Sequence, residues 1–537
     1  MEIKKILEKL TLEEMVGQLF CYDIYDSDDP KKVEEILKKV RAGGIFVQRM
    51  PAEKIKLYTD MAQKYTDIPV IVSADVENGP GNAVKGTPDL PYQMAWGAAD
   101  DVELVEKIGY YTGRICRQNG VHWTYSPVVD LNYNFHSADV NVRAISDSPD
   151  HVVKIAKSII KGMQTDGNMV ATCKHFPGGG VDERNSHFLT SINYLSKEEW
   201  MATYGKIYKE MIKFGVPAIM VGHTALPAYE KDVDDFYGYP PCVFSKSLMT
   251  DLLKGELGFD GCVVSDAMSM IGASAMVNDL NEIAVKFIEA GGDMILFPEP
   301  TDYDVILQAV KSGRISIERI KDAVSRILSL KEKAGLFSIR KNEPYDSCED
   351  FEKISYYGQK LADKSITVVR DVKNILPLKL KEHSKILMLT MIEPHFQRKP
   401  TGEEFRPMIE EFEKNGHSVT QLITAKHKEV YEIMNDYDAV LLNCRMSSLD
   451  YHGATLRIGW NNIMVLWRAY VLQHPNFVFT SFGDPYKLYD APYLKTYINA
   501  YSDSPYSQRA VAKVLMGQIK AEGKNPVEFK GFFKREV

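Results

Sequence analysis

Metal-ligating and redox motifs are missing from this 537-residue sequence. Its seven cysteines form no C-x-x-C pair, and several of them lie in apolar runs such as GCVVSD and LLNCRM. Its twelve histidines form no His-rich tract. An odd number of cysteines within apolar runs is typical of buried free thiols in a reducing compartment. We therefore expect free thiols, no metal site and no cofactor.

Apolar runs long enough to cross a membrane are missing as well. The first residues, MEIKKILEKLTLEEMVGQLF, are charged throughout and lack the apolar core of a signal peptide. The net charge of −8 comes from acidic and basic residues that are interspersed, which argues against a nucleic-acid-binding surface. We expect a cytoplasmic protein with no membrane or nucleic-acid partner, as a monomer or a homodimer.

Alternation of short apolar runs with helix-like segments is the main pattern that the sequence does have. Eight such runs occur in the first 337 residues, and amphipathic segments such as DPKKVEEILKKVRAG separate them. Buried parallel strands are continuous apolar runs, and eight strand–helix units are what a (β/α)8 barrel of the TIM type needs. A doubly wound open sheet is the alternative. The runs are 20–24, 44–48, 69–75, 121–130, 169–175, 216–223, 261–266 and 292–297.

The length of the chain predicts more than one domain. After Gly335 the sequence becomes polar and contains Pro344, which is typical of a linker. A new α/β pattern follows, with apolar runs such as KILMLTMI and NFVFTSFGD. We predict a barrel domain over 1–337 that carries the catalytic site, a linker over 338–354, and a smaller α/β sandwich domain over 355–537.

Polar residues follow the ends of the predicted barrel strands. In a parallel barrel these ends meet at one mouth, so residues that are distant in sequence would converge there. Asp266 ends a buried run and is followed by small residues, a placement that suits a nucleophile or a base. A helix N-cap is the alternative for this residue. The strand-end set is Gln48, Asp75, Asp130, Lys174, His175, His223 and Asp266.

The loop KHFPGGGVDERNSHF, residues 174–188, combines three glycines with many titratable groups. An imidazole at His187 can donate and accept a proton near neutral pH, and the glycines would let its loop move over the mouth. An ordinary surface histidine is the alternative. Lys174 and His175 would hydrogen-bond hydroxyl groups of a ligand. A Schiff-base lysine at Lys174, as in an aldolase, would be a different class of chemistry.

Several motifs in a fixed order resemble glycoside hydrolase family 3. KHFPGGG followed by NSHF, together with GELGFDGCVVSDAMSM, resembles the bacterial two-domain β-N-acetylglucosaminidases of that family. PVIVSADVENG, SPVVDLN, NVRAISDSP and KFGVPAIMVGHTALPA add further similarity, and SITVVRDVKNILPL extends it into the second domain. The resemblance covers nearly the whole chain.

The resemblance implies a retaining β-glycosidase that forms a covalent glycosyl-enzyme. Asp266 matches the nucleophile of the family, and His187 matches the general acid/base of its acetylglucosaminidases. The expected activity is that of an exo-acting β-N-acetylhexosaminidase, which removes terminal sugars from small oligosaccharides or cell-wall fragments without a cofactor. The sugar-binding positions of the family match Asp75, Arg143, Lys174 and His175.

Two departures from the family pattern bear on this expectation. Asn185 stands where the family usually has the Asp that orients the histidine, so we expect either a weaker base or a carboxylate from Asp182 or Glu183 in its place. Gly179 stands where the family often has His, so the resemblance does not determine which sugar is cleaved. The alternatives are a β-glucosidase, a β-xylosidase or a β-glycoside phosphorylase of the same fold, and an inactive sugar-binding relative.

A segment of the second domain, YHGATLRIGW (451–460), offers three side chains that suit a sugar. Trp460 would stack on a sugar face, and Arg457 would pair with an acidic group; His452 lies in the same stretch. An ordinary packed tryptophan and a solvated arginine are the alternative.

Overall fold

The computed structural model describes residues 3–338, 347–392, 401–446 and 457–537. The chain divides into two compact units. The first consists of Met1–Asp89, Val102–Leu131 and Val152–Ile354. The second consists of Leu90–Asp101, Asn132–His151 and Ser355–Val537, so that two short segments from the first third of the chain group with its C-terminal part.

The first unit is built on a closed ring of eight parallel strands. Two ladders, β10-β1-β2-β3-β4 and β5-β7-β9, are joined by the parallel bridges Trp123–Val170 and Val264–Met294. Strands β6 and β8 form a separate parallel pair. Each of the eight predicted runs contains one barrel strand, which confirms the predicted fold. The strands are β1 Phe20–Ile24, β2 Gly44–Val47, β3 Ile71–Ala74, β4 Trp123–Thr124, β5 Thr172–Phe176, β6 Ser191–Ile192, β7 Ala218–Val221, β8 Thr224–Ala225, β9 Cys262–Ser265 and β10 Ile295–Leu296.

Helices that surround the ring begin at the polar caps that the sequence provides. Thr11 and Glu14 form a capping box at the helix Leu12–Gln18, and Ser196 forms another with Glu199. The α-helices of residues 3–338 are Ile3–Leu7, Leu12–Gln18, Pro30–Val40, Ala52–Gln63, Gln93–Ala99, Val102–Gln118, Pro149–Gln164, Lys197–Trp200, Lys206–Phe214, Ile271–Ser274, Glu282–Ala290, Asp302–Lys311 and Ile317–Lys333. Shorter 3₁₀ turns are Pro80–Asn82, Asn141–Arg143, Thr165–Gly167 and Cys242–Phe244, and the π-helical segments are Met201–Gly205 and Ser247–Glu256.

The barrel interior combines aromatic packing with a small buried polar network. The Trp123 ring meets the Tyr125 ring edge-on at 4.8 Å between centroids, and the Tyr125 hydroxyl donates to Ser73 Oγ at 3.0 Å. Of the seven cysteines, all free thiols, only Cys348 is exposed. Among the described helices, none combines the length and the apolarity needed to cross a bilayer.

A buried lysine, Lys331, is a pH-sensitive point in the first unit. Its side chain is fully buried, and Nζ donates to Gln18 Oε1 at 2.7 Å. Burial lowers the pKa of Lys331 from 10.5 to about 7. Between these values the unfolded chain binds a proton that the folded protein does not. The resulting penalty is present in full below pH 7 and disappears as the pH rises toward 10.5.

Replacing Lys331 with methionine removes a penalty of about 4 kcal/mol at pH 7 and loses about 1 kcal/mol with the Gln18 hydrogen bond, so the free energy of unfolding should rise by about 3 kcal/mol. The variant should also lose the increase in stability with pH, up to about 1.4 kcal/mol per pH unit, that this group contributes. Urea unfolding at pH 7, 8 and 9 measures both effects. Lys333→Met, an exposed change on the same helix, is the control; parallel pH slopes for wild type and Lys331→Met would contradict the prediction.

The second unit contains a six-stranded sheet with strand order β11-β16-β15-β14-β12-β13. Only the β11–β16 pair is antiparallel. The strands are β11 Thr367–Asp371, β12 Lys385–Ile392, β13 Ser418–Ile423, β14 Ala439–Arg445, β15 Phe477–Ser481 and β16 Thr496–Asn499. The helices of the described residues 347–392, 401–446 and 457–537 are Ser347–Ser365, Arg406–Lys414, His427–Ile433, Trp460–Ile463 and Pro505–Leu515, with 3₁₀ turns at Met434–Asp436, Met464–Ala469 and Val471–Gln473.

The helix Ser347–Ser365 begins inside the stretch predicted as a linker, 338–354. Residues 339–346 of that stretch lie outside the described residues. The apolar face of the second sheet packs on the helices Arg406–Lys414 and Pro505–Leu515, as the buried side chains of Met408, Phe412 and Val511 show.

Candidate active site

Lys174, in the middle of β5, forms a cluster of ion pairs at the barrel mouth. Its Nζ lies 2.7 Å from Asp75 Oδ1 and 2.7 Å from Glu77 Oε1. Only 2% of Lys174 is exposed, so its charge needs such partners. Asp75 follows β3 directly and keeps 40% of its side chain exposed. Glu77, two positions beyond Asp75, also belongs to this cluster, although it is not among the residues predicted for the site.

His175, the next residue of β5, is oriented by the buried Asp130. His175 Nδ1 lies 2.7 Å from Asp130 Oδ2, and the backbone N–H of Gly179 donates to Asp130 Oδ1 at 2.6 Å. The backbone N–H of His175 also points at this carboxylate, at 3.3 Å. Asp130 is fully buried and satisfied by these donors, so it holds the imidazole in one orientation.

Asp266 lies directly after β9, where the strand reaches the mouth. Its Oδ1 accepts a hydrogen bond from the Ala267 N–H at 2.8 Å. Burial by itself would raise the pKa of Asp266, but positive charge on four neighbouring side chains outweighs burial and holds that pKa below the usual value of a carboxyl. In order of decreasing effect the four are His175, His223, His187 and Lys174.

His223 supports the segment that carries Asp266. It is fully buried, and its Nε2 lies 3.0 Å from the carbonyl oxygen of Ala267, so Nε2 carries the proton and donates. Burial lowers the pKa of His223, although the charge of Asp266 acts in the opposite direction. Through this hydrogen bond His223 holds the backbone beside the Asp266 carboxylate.

His187 pairs with Asn185 through both its backbone and its ring. The backbone N–H of His187 donates to Asn185 Oδ1 at 3.0 Å, and Nδ1 of the ring lies 2.7 Å from the same oxygen. Because the backbone N–H can only donate, this amide atom is the oxygen, and Nδ1 must carry a proton to donate to it. In the neutral imidazole Nε2 is then the basic nitrogen.

Of the two carboxylates suggested as substitutes for the missing Asp, Asp182 has other partners. Asp182 receives the Ile192 N–H at 2.9 Å and pairs with Arg184 Nε at 2.7 Å. Glu183 is exposed. Among the contacts described for His187 Nδ1, the partner is Asn185.

The glycines of the His187 loop are explained in part by close packing. A Cβ atom at Gly178, whose φ is +117°, would lie 2.1 Å from the ring of Tyr204. The Tyr204 hydroxyl donates to the carbonyl oxygen of Gly179 at 2.5 Å. The loop therefore lies tightly against Tyr204 at these glycines.

The other predicted site residues belong to the second unit. Arg143 Nη1 lies 3.0 Å from Asp139 Oδ1. Arg457 pairs with Asp490, and its guanidinium lies 4.3 Å from the ring centre of Tyr489.

Trp460 is 70% exposed, with its ring 6.3 Å from that of Trp467. His452 lies outside the described residues. The suggested sugar-binding roles of Arg143, Arg457 and Trp460 stay predictions.

The chain is similar to known proteins in both sequence and structure. Residues 11–330 match the family model described as the glycosyl hydrolase family 3 N terminal domain. A β-N-acetylglucosaminidase/β-glucosidase from Cellulomonas fimi is 30% identical over 545 residues, which span 98% of this chain and 95% of that protein.

Solved structures of similar length agree with that match. The β-glucoside phosphorylase BglX bound to 2FGlc superposes with a TM-score of 0.87 at 28% identity, over 98% of this chain and 96% of its own. A glycoside hydrolase family 3 β-N-acetylglucosaminidase from Paenibacillus sp. str. FPU-7 superposes with a TM-score of 0.83 at 26% identity, over 97% of this chain and 99% of its own. This chain belongs to glycosyl hydrolase family 3.

Proposed function

We propose that this protein is a retaining exo-acting β-N-acetylhexosaminidase in which Asp266 is the nucleophile and His187 is the general acid/base. One observation carries the proposal: although burial acts to raise the pKa of Asp266, the positive charge of His175, His223, His187 and Lys174 outweighs burial and lowers it. A carboxylate that is ionised at neutral pH can attack an anomeric carbon, and the imidazole that helps to keep it ionised can transfer a proton.

In the first step Asp266 attacks the anomeric carbon and the glycosidic C–O bond breaks. The protonated His187 gives its Nε2 proton to the departing oxygen, which leaves as an alcohol. Nδ1 of His187 keeps its proton and continues to donate to Asn185. The product is an ester between Asp266 and the sugar.

In the second step water attacks the anomeric carbon of this ester. The neutral His187 accepts a proton from the water at Nε2, and the Asp266 carboxylate leaves. Two displacements return the sugar to its original β configuration. An uncharged imidazole is a suitable base beside the ester because it repels no developing charge on Asp266.

Hydroxyl groups of the sugar would be held by the charged cluster at the mouth. The exposed part of Asp75 accepts hydrogen bonds from hydroxyl groups, while Lys174 and His175 donate hydrogen bonds to hydroxyl oxygens. Arg143 is the remaining residue proposed for sugar binding. Such hydrogen bonds accelerate the reaction when they strengthen toward the oxocarbenium-like transition state.

The names of two similar proteins support an N-acetylglucosaminide as the substrate. One is the β-N-acetylglucosaminidase/β-glucosidase from Cellulomonas fimi, and the other is the β-N-acetylglucosaminidase from Paenibacillus. The terminal sugar of a small oligosaccharide or cell-wall fragment is the corresponding substrate here.

Phosphorolysis is the second candidate, and the Asn185–His187 pair favours it. An amide in place of a carboxylate leaves no negative charge behind the imidazole, so a phosphate dianion can approach with less repulsion. Phosphate would attack the Asp266 ester without any need for a base and would form a glycosyl phosphate. A phosphorylase is among the similar structures.

A panel of p-nitrophenyl β-glycosides, each assayed with and without inorganic phosphate, tests these proposals. Preferential cleavage of the N-acetylglucosaminide with no effect of phosphate is expected. Cleavage of only the glucoside or the xyloside would change the proposed substrate to that glycoside. Acceleration by phosphate with release of glycosyl phosphate would make the enzyme a phosphorylase. Binding without turnover of any of them would make the protein an inactive sugar-binding relative.

Replacing Asn185 with Asp should shift the pH dependence of kcat/KM. A carboxylate next to Nδ1 stabilises the imidazolium and raises the pKa of His187, so the alkaline limb should move up by about one pH unit. Glu183→Gln, a charge change at an exposed position of the same loop, is the control and should leave the limb in place. Superimposable profiles for wild type and Asn185→Asp would show that this contact does not tune His187.

A further inference from the structure

Gly272 lies where the loop that carries His187 packs on the segment that follows Asp266. This segment turns into the short helix Ile271–Ser274. A Cβ atom at Gly272 would lie 2.1 Å from the carbonyl oxygen of Ser186 and 3.1 Å from that of Leu189. On another side it would lie 3.2 Å from Cβ of His223. The backbone of the loop thus occupies the space that any side chain at this position would need.

Hydrogen bonds on both sides of Gly272 join the two segments. The Ile271 N–H donates to the carbonyl oxygen of His187 itself at 3.0 Å. The Thr190 hydroxyl donates to the carbonyl oxygen of Gly272 at 2.9 Å. Asn185 and Ser186, the two residues before His187, are 7% and 8% exposed. The backbone around His187 is therefore seated in the protein, directly on the segment that Asp266 begins.

We propose that Gly272 is a positioning residue: the close approach that its missing side chain permits sets the distance between His187 and Asp266. The inference rests on the proposed function and names a determinant of its geometry. A bulkier residue would push the Ser186 carbonyl away and carry His187 with it. Proton transfer depends steeply on position, and a shift of about 1 Å costs on the order of 10²-fold in rate.

The variant Gly272→Ala tests this through the leaving group. Two β-glycosides of the same sugar are compared by kcat/KM: a methyl glycoside, whose leaving oxygen needs a proton, and a 2,4-dinitrophenyl glycoside, whose leaving group departs without one. We expect a decrease of about 10²-fold for the methyl glycoside and of less than about threefold for the dinitrophenyl glycoside. Sodium azide, which attacks without a base, should raise kcat of the variant on the dinitrophenyl substrate.

Two further variants make the result decisive. Gly255→Ala adds the same methyl group to another helical glycine, where the nearest atom is the Thr250 carbonyl oxygen at 3.2 Å. This variant should leave kcat/KM unchanged for both substrates. Thr190→Val removes the hydrogen bond to Gly272 at nearly constant shape. For this variant kcat/KM should fall by about fivefold to tenfold for the methyl glycoside only. If Gly272→Ala does not fold, Thr190→Val tests the positioning role in its place.

Equal losses on both substrates, or no loss on either, would overturn the positioning role of Gly272. The failure of the proposed function has a different signature. In that case the wild-type protein cleaves neither glycoside, or His187→Ala itself does not distinguish between the two leaving groups.

Discussion

Replacing Asp266 with alanine should lower kcat by roughly 10⁴- to 10⁶-fold on every β-glycoside that the protein cleaves, because the covalent intermediate can no longer form. The protein should still fold, since Asp266 lies at the mouth after the end of β9 and is not part of the apolar core. Steady-state kinetics and thermal unfolding of the same preparations measure the two effects.

Asp260→Ala is a matched control, because Asp260 is an exposed carboxylate just before β9 and Asp266 follows the same strand. The control should keep wild-type activity. Azide adds a stereochemical criterion: attack on a 2,4-dinitrophenyl β-glycoside in Asp266→Ala is a single displacement and should yield the α-glycosyl azide. Near-wild-type turnover by Asp266→Ala would remove Asp266 from the mechanism.

Replacing His187 with alanine should produce a loss that depends on the leaving group. For a methyl glycoside, kcat/KM should fall by about 10²- to 10⁴-fold, the usual contribution of general acid catalysis. For a 2,4-dinitrophenyl glycoside, kcat/KM should change little, while kcat falls because water loses its base. The comparison of both constants for both substrates separates the two roles of one side chain.

Azide again gives the discriminating product. In His187→Ala the sugar is still transferred to Asp266, and azide then attacks the ester, so two displacements should yield the β-glycosyl azide. The opposite configurations from the two variants would assign the nucleophile and the acid/base independently. A uniform loss on both substrates in His187→Ala, with no response to azide, would contradict its role as the proton donor and acceptor.

The barrel could be predicted from local sequence because its strands are buried on both sides. Every one of the eight apolar runs contains a barrel strand, and the alternation with helices leaves few other arrangements. Strand lengths were less predictable. The run 121–130 contains only the two-residue strand β4, and beyond it the chain pairs again at the isolated bridge Val128–Lys174.

Two strands of the second sheet lack a continuous apolar run for a related reason. β13 lies at the edge of the sheet and alternates exposed with partly buried residues, so it has no continuous apolar run. β16 is only four residues long and contains two polar residues. The grouping of Leu90–Asp101 and Asn132–His151 with the C-terminal part of the chain has no sequence signal at all, because it depends on contacts across hundreds of residues.

The sequence of loop 174–188 explains only part of the need for its glycines. Its glycines were expected to supply freedom of movement. At Gly178 the requirement is instead the ring of Tyr204 and a positive φ. Tyr204 is 26 positions further along the chain, so only the folded protein reveals what the glycine accommodates.

By itself the sequence determined the barrel, the strand ends at which Lys174, His175 and Asp266 lie, and the substitution of Asn185 for the usual acid, because each of these is a property of neighbouring residues. Tertiary structure alone decided the partners: Glu77 for Lys174, Asp130 for His175, and the backbone of the His187 loop for Gly272. Pairings of this kind arise from the closure of the ring, which brings together strand ends from distant parts of the chain. Local sequence patterns carry no record of the distances that result.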